Sequence, residues 1–229
     1  MSQYIYPVLA VLLGFALVYF FKPKNQQNIK ILLSFSGGFL LAITVFNLLP
    51  EIFEHSHELN HSHKRTGLFI IIGILFQIFL EYFSKGAEHG HVHIHGNQKQ
   101  FPWALFISLF THAVLEGFPV SHTHGLLTGI IIHKIPVAII LSTFLLRSEL
   151  PKSSVLFFII LFAFATPIGS LIADHFTIAT NYFNEITAVV VGIFLHISTT
   201  ILFESSEGHR FNITKMCGVL IAIAIAYFI

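Results

Sequence analysis

FPWALFISLFTHAVLEGFPVSHTHGLLTGIIIHKIPVAIILSTFLL, residues 101–146, places ionisable side chains inside two apolar runs otherwise suited to lipid. The runs read as two helices folded back on each other at Ser121–His122–Thr123–His124–Gly125. The first carries His112-Ala113-Val114-Leu115-Glu116-Gly117, and the second carries His133-Lys134-Ile135-Pro136. Ionisable residues are costly in hydrocarbon and usually face a cavity, a partner or a pathway.

His112 and Glu116 are four residues apart, so both lie on one helical face. A neutral imidazole and a carboxylate on one face are natural ligands for a divalent transition metal. With His124 as the apex of the turn, Glu116 and His133 both fall about 12–14 Å below it at the helical rise of 1.5 Å per residue. The three side chains are therefore expected to meet at one depth. Pro136 lacks an N–H and frees the carbonyl of Ile132, which adds a polar oxygen beside His133. Lys134 needs an anion at this depth, and Glu116 is the expected partner. The competing expectation for Lys134 is a side chain that snorkels along the protein surface. For His112 and Glu116 it is a hydrogen-bonded pair that only holds the bundle together.

The rest of the chain repeats the same theme. Of its 229 residues 55% are hydrophobic and only 10% charged, and Phe alone accounts for 26, as expected of a polytopic membrane protein. The single cysteine, Cys217, excludes an intrachain disulfide and a cysteine-based zinc site. A formal net charge of +1 gives no reason to expect a nucleic-acid partner. No Gly-x4-Gly-Lys-Ser/Thr run is present to bind ATP.

The expected fold class is all-α, a polytopic transmembrane bundle of eight helices forming one domain over residues 1–229. The apolar runs outside the opening stretch are Tyr4–Phe21, Ile31–Phe53, Gly67–Phe83, Val155–Ala173, Ile186–Phe203 and Met216–Ile229. The first has no basic residue before it and no small-residue cleavage site after it, so it reads as a retained helix rather than a signal peptide. With the amino terminus outside, the inner loops hold Lys22, Lys24, Lys30, Lys85, Lys99, Arg147, Lys152, Arg210 and Lys215, and the outer segments hold only Lys64 and Arg65. The positive-inside rule then puts both termini on the outer side. The cell membrane is the expected location.

Histidine is unusually abundant, at 15 residues. His55, His57, His61 and His63 fall in an expected outer loop, 55–65, and His89, His91, His93 and His95 in an expected inner loop, 85–100. Such strings hold borderline metals loosely through imidazole, and their placement on both sides of the membrane points to metal capture. Asn47 and His196 are single polar residues on apolar faces, while Glu51 and Glu81 lie near helix ends. They are candidate pathway residues, and for Asn47 and His196 plain packing is the alternative.

Together these residues resemble the ZIP (Zrt/Irt-like) family of divalent metal transporters. His112-Ala-Val-Leu-Glu116-Gly117 is similar to the family's His-Asn-x-Pro-Glu-Gly, and His133-Lys134-Ile-Pro136-Val137-Ala138 to its His-Asn-Ile-Pro-Glu-Gly. Gly37-Gly38, Leu48-Leu49-Pro50-Glu51, Thr166-Pro167-Ile168-Gly169 and Gly192-Ile-Phe-Leu195 resemble its second, sixth and seventh helices, and Asn47 stands where the family often has His or Asp. A His-rich inner loop between the third and fourth helices is also a family habit.

The resemblance implies two metals held by both Asn and both Glu of these motifs, but Ala113, Lys134 and Val137 replace three of those four. One mononuclear site is then expected, with His112, Glu116 and His133 as ligands. The Lys134 ammonium would stand in for the charge of the second metal, and Lys134→Ala is expected to lower apparent metal affinity or change its pH profile. No resident cofactor is implied. The ion bound or carried is Zn²⁺, with Fe²⁺, Mn²⁺ and Cd²⁺ also fitting two His and one Glu. The implied partners are divalent metal ions and the bilayer, with a homodimer as the candidate assembly. The implied function is zinc uptake into the cytoplasm.

Three other functions compete. A cation-diffusion exporter would show about six helices, Asp-rich pairs and a soluble metal-binding tail, none of which is evident. A membrane-embedded zinc hydrolase would draft the same ligands, with His196, but needs a general base at their depth. A degenerate family member would bind metal without transporting it.

Overall fold

In the computed structural model, residues 1–21, 26–58, 62–84, 101–121, 123, 125–204 and 213–229 are described. The helices are α1 (Ser2–Phe21), α2 (Gln26–Ile43), α3 (Leu49–Glu58), α4 (His63–Ser84), α5 (Trp103–Glu116), α6 (Leu126–Arg147), α7 (Lys152–His175), α8 (Thr177–Asn181), α9 (Phe183–Glu204) and α10 (Ile213–Tyr227). A π turn, Thr44–Leu48, joins α2 to α3, and a 3₁₀ turn, Phe118–Ser121, follows α5. Among the described residues there is no strand. Without water in the hydrocarbon, backbone groups must be satisfied within the segment, so long apolar runs become helices.

Seven stretches are long and apolar enough to cross a membrane: α1, α2 with α3, α4, α5 with its 3₁₀ turn, α6, α7 and α9. At the place of the expected eighth crossing, α10 has 15 residues, or about 22 Å against a hydrocarbon core of about 30 Å.

The helix interruptions have local causes. Pro50 lacks the N–H that would bond back to Phe46. Just before it the ladder widens, and the Leu49 N–H reaches the Thr44 carbonyl. The chain then continues as helix to Glu58, and α4 begins at His63, so most of the expected outer loop 55–65 is helical. Nothing between Glu51 and Glu58 breaks a helix, and a polar helix is free to project past the hydrocarbon. Between the apolar runs that end at Ala173 and begin at Ile186 the chain is likewise mostly helix, through the end of α7, α8 and the start of α9.

The buried apolar side chains form two main cores. One joins α2, α3, α9 and α10 through residues such as Phe39, Ile43, Ile52, Phe194, Ile197 and Ala222. The other joins α1, α5, α6 and α7 through Val11, Leu109, Leu141, Phe158 and Phe162. Helix α6 changes cores along its length: Leu126 and Ile130 lie in the first, and Val137 onwards in the second. His133 and Lys134 sit at the change.

Close crossings fix the geometry. A Cβ at Gly169 would overlap the Val114 carbonyl, and one at Gly117 the Thr166 carbonyl, so α5 and α7 touch backbone to backbone. Small residues at helix contacts are the usual way to bring membrane helices this close. Ser170 Oγ donates to the Gly117 carbonyl at 2.8 Å across the same contact. Gly73 and Gly192 make the equivalent crossing of α4 and α9. At one end of that pair, Arg65 meets Glu185 at 2.8 Å, and Ser56 bonds to Thr66 and accepts from Asn184.

Candidate metal centre

Helix α5 ends at Glu116, and Gly117 turns the chain into the 3₁₀ turn, so Glu116 lies at a helix terminus rather than mid-helix. Gly117 keeps an ordinary helical φ of −70°, so what needs glycine here is the contact with α7. Gly125, with φ of 75°, starts α6 from a left-handed conformation that suits glycine. His133 then falls in the third turn of α6, opposite α5.

The fold brings His112, Glu116 and His133 together. One ligand atom from each lies within 4.8 Å of the other two, and all three residues are buried. His112 Nε2 is 3.3 Å from Glu116 Oε2, and the two imidazole rings lie edge to face at 6.5 Å. Tetrahedral zinc with bonds of about 2.0–2.1 Å separates its donors by roughly 3.3 Å. The His112–Glu116 spacing already fits, and the His133 ligand atom lies within 4.8 Å of both. Among the described residues this is the one group of His, Cys, Asp and Glu with such spacing.

Lys134 does not snorkel. It is 1% exposed, and its Nζ donates to Glu116 Oε1 at 2.6 Å. The ammonium also lies 4.7 Å from the centre of the Phe162 ring, within cation–π range. Thr166 Oγ1 donates to the same oxygen, Oε1, at 2.6 Å. Ser36 of α2 shares a hydrogen bond with His133 Nδ1 at 3.3 Å. The centre thus spans the seam between the cores, with Ser36 on one side and α5, α6 and α7 on the other.

The remaining candidates lie elsewhere. Asn47 is half-buried in the π turn with its amide beside Gly125, and Glu51 lies one turn further on. His196 and Glu81 pair with each other at 2.7 Å between α9 and α4. None of these four belongs to the three-ligand group. His55 and His63 are exposed, and the His63 ring lies 5.6 Å from that of Phe53. The side chain of His57, and His61, His89, His91, His93 and His95 entirely, lie outside the described residues.

Sequence reasoning did not place Ser36, Phe162 or Thr166 in the centre. The available signal was weak: a serine beside Gly37-Gly38, and a threonine before Pro167 within an apolar run.

Comparison with known proteins now decides the family. A zinc transporter of Pongo abelii, ZIP13, is 31% identical over 167 residues, covering 67% of this chain and 49% of its own length. The zinc transporter SLC39A7 of Rattus norvegicus is 33% identical over 86 residues, covering 32% of this chain and 18% of its own length. The Homo sapiens SLC39A7 is 33% identical over 82 residues, covering 30% of this chain and 18% of its own length. The chain belongs to the ZIP family. It spans about half the length of the ZIP13 relative and under a fifth of the SLC39A7 relatives. No protein-family model matches it. The relatives of this ZIP-family chain are named as transporters and not as enzymes. With seven stretches able to cross a bilayer, it is a multi-pass membrane protein.

Proposed function

We propose that this chain carries divalent transition-metal ions, zinc first among them, across a membrane through a mononuclear site made by His112, Glu116 and His133. The observation that carries this reading is the convergence of three buried donor atoms from two helices within 4.8 Å. Structural polar clusters in membrane proteins also pair histidine with carboxylate, but that role needs no second imidazole. The relatives named zinc transporters support the same reading.

A dehydrated dication loses its hydration energy on leaving water, and the two imidazoles and one carboxylate replace that shell. Two nitrogens and one oxygen suit zinc, which keeps one position open for water. Fe²⁺, Mn²⁺ and Cd²⁺ are secondary cargoes. Because the centre lies on a seam between two cores, a rearrangement of α5, α6 and their neighbours against α2 would open it to one side and then the other. The chain acts as one domain in the cell membrane, and with α10 as an eighth crossing both termini lie outside. The ion moves inward, where His89, His91, His93 and His95 receive it; His55, His57, His61 and His63 gather it outside. Asn47 and Glu51 lie on the outer approach, and Glu81 with His196 on the inner one. A homodimer is the proposed assembly.

Purified chain in liposomes tests this. Saturable Zn²⁺ flux in the wild type, reduced to the leak of empty vesicles by His133→Ala, is the expected result. Equal flux in the two would reject the site. Zinc binding without flux in the wild type would assign the chain a metal-binding role instead.

A further inference from the structure

The two oxygens of Glu116 have different surroundings. Oε1 accepts from Lys134 Nζ at 2.6 Å and from Thr166 Oγ1 at 2.6 Å. Oε2 faces His112 Nε2 at 3.3 Å. A carboxylate oxygen has about two lone-pair sites, so the two donors on Oε1 fill it. Only Oε2 is left on the side of the two imidazoles.

We propose that Lys134 is a specificity-determining residue: with Thr166 it occupies one oxygen of Glu116 and confines that carboxylate to single-oxygen ligation of the carried ion. The inference rests on reading the centre as the cargo site.

The clamp is rigid. Lys134 is buried, its ammonium lies over the Phe162 ring, and Thr166 sits in α7 one turn before the backbone contact at Gly169 and Ser170. The carboxylate therefore cannot swing to chelate an ion without breaking a buried ion pair. Zinc loses little, because it is satisfied by three protein ligands and a water. Manganese prefers six oxygen donors, so it loses more from a site with one available carboxylate oxygen. The nearby positive charge weakens every cation, and most of all one that relies on the carboxylate. Removing the lysine is then expected to tighten metal binding, whereas the sequence alone suggested a lower apparent affinity or a changed pH profile.

The test measures Zn²⁺ and Mn²⁺ binding by the full chain in detergent, by competition with a fluorescent chelator. Lys134→Met keeps most of the length of the side chain, one atom shorter, and removes its donors. Thr166→Val removes only the hydroxyl. Second-sphere changes typically alter metal affinity by 10–100-fold. The expected result for Lys134→Met is Mn²⁺ binding tightened by about tenfold more than Zn²⁺ binding. Thr166→Val should shift the same ratio in the same direction by less. An unchanged ratio in folded Lys134→Met would overturn the proposal. If that variant does not fold, an unchanged ratio in Thr166→Val overturns it. A wild type that neither binds nor moves zinc would instead overturn the reading of the cargo site, so the two failures are distinct.

Discussion

Glu116→Ala is expected to abolish zinc binding at the centre and to destabilise the chain, and adding Lys134→Met is expected to restore the fold without restoring binding. The single change removes the only carboxylate of the ligand group. It also leaves the Lys134 ammonium buried without its anion. Breaking one side of a buried pair costs about 3–5 kcal/mol, while replacing both charges with apolar groups is often neutral. Thermal unfolding in detergent, run alongside zinc binding, separates the two effects. If single and double variants unfold at the same temperature, the ion pair does not account for the loss of stability.

Gly169→Val is expected to damage the protein severely, because this glycine sets the depth at which α5 and α7 meet. Its missing Cβ is filled by the Val114 carbonyl, a backbone atom that cannot rotate away. Overpacking usually costs about 1–3 kcal/mol, and a backbone obstacle places this site at or above the top of that range. Moving α7 outward would also withdraw Thr166 from Glu116. Gly218→Ala provides the contrast: a Cβ there meets nothing within 4 Å, so it should be close to neutral. Size-exclusion profiles and zinc flux of the two variants check this. A folded, transporting Gly169→Val would show that the crossing is looser than the backbone contact implies.

The helical bundle was legible in the sequence because hydrocarbon leaves an apolar run few alternatives to a helix. The convergence of His112, Glu116 and His133 was legible for a related reason. Spacing by four on one helix and a short turn to the next fix relative depth within about one helical turn. The pairing of Lys134 with Glu116 followed from the cost of a lone ammonium. The end of α5 at Glu116 was less visible: Gly117 keeps ordinary helical angles and is compatible with either a continued helix or a turn. Thr166 and Ser36 were not legible, since both reach the centre from helices distant in sequence. The helical conformation of 55–58 was missed because polar composition was read as loop, although nothing there breaks a helix.

The most direct measurement is anomalous diffraction at the zinc edge from crystals of the full chain grown with zinc. A peak about 2.0–2.2 Å from His112, Glu116 and His133 is the predicted result. Zinc peaks at other sites, with none among these three side chains, would contradict the assignment of the cargo site.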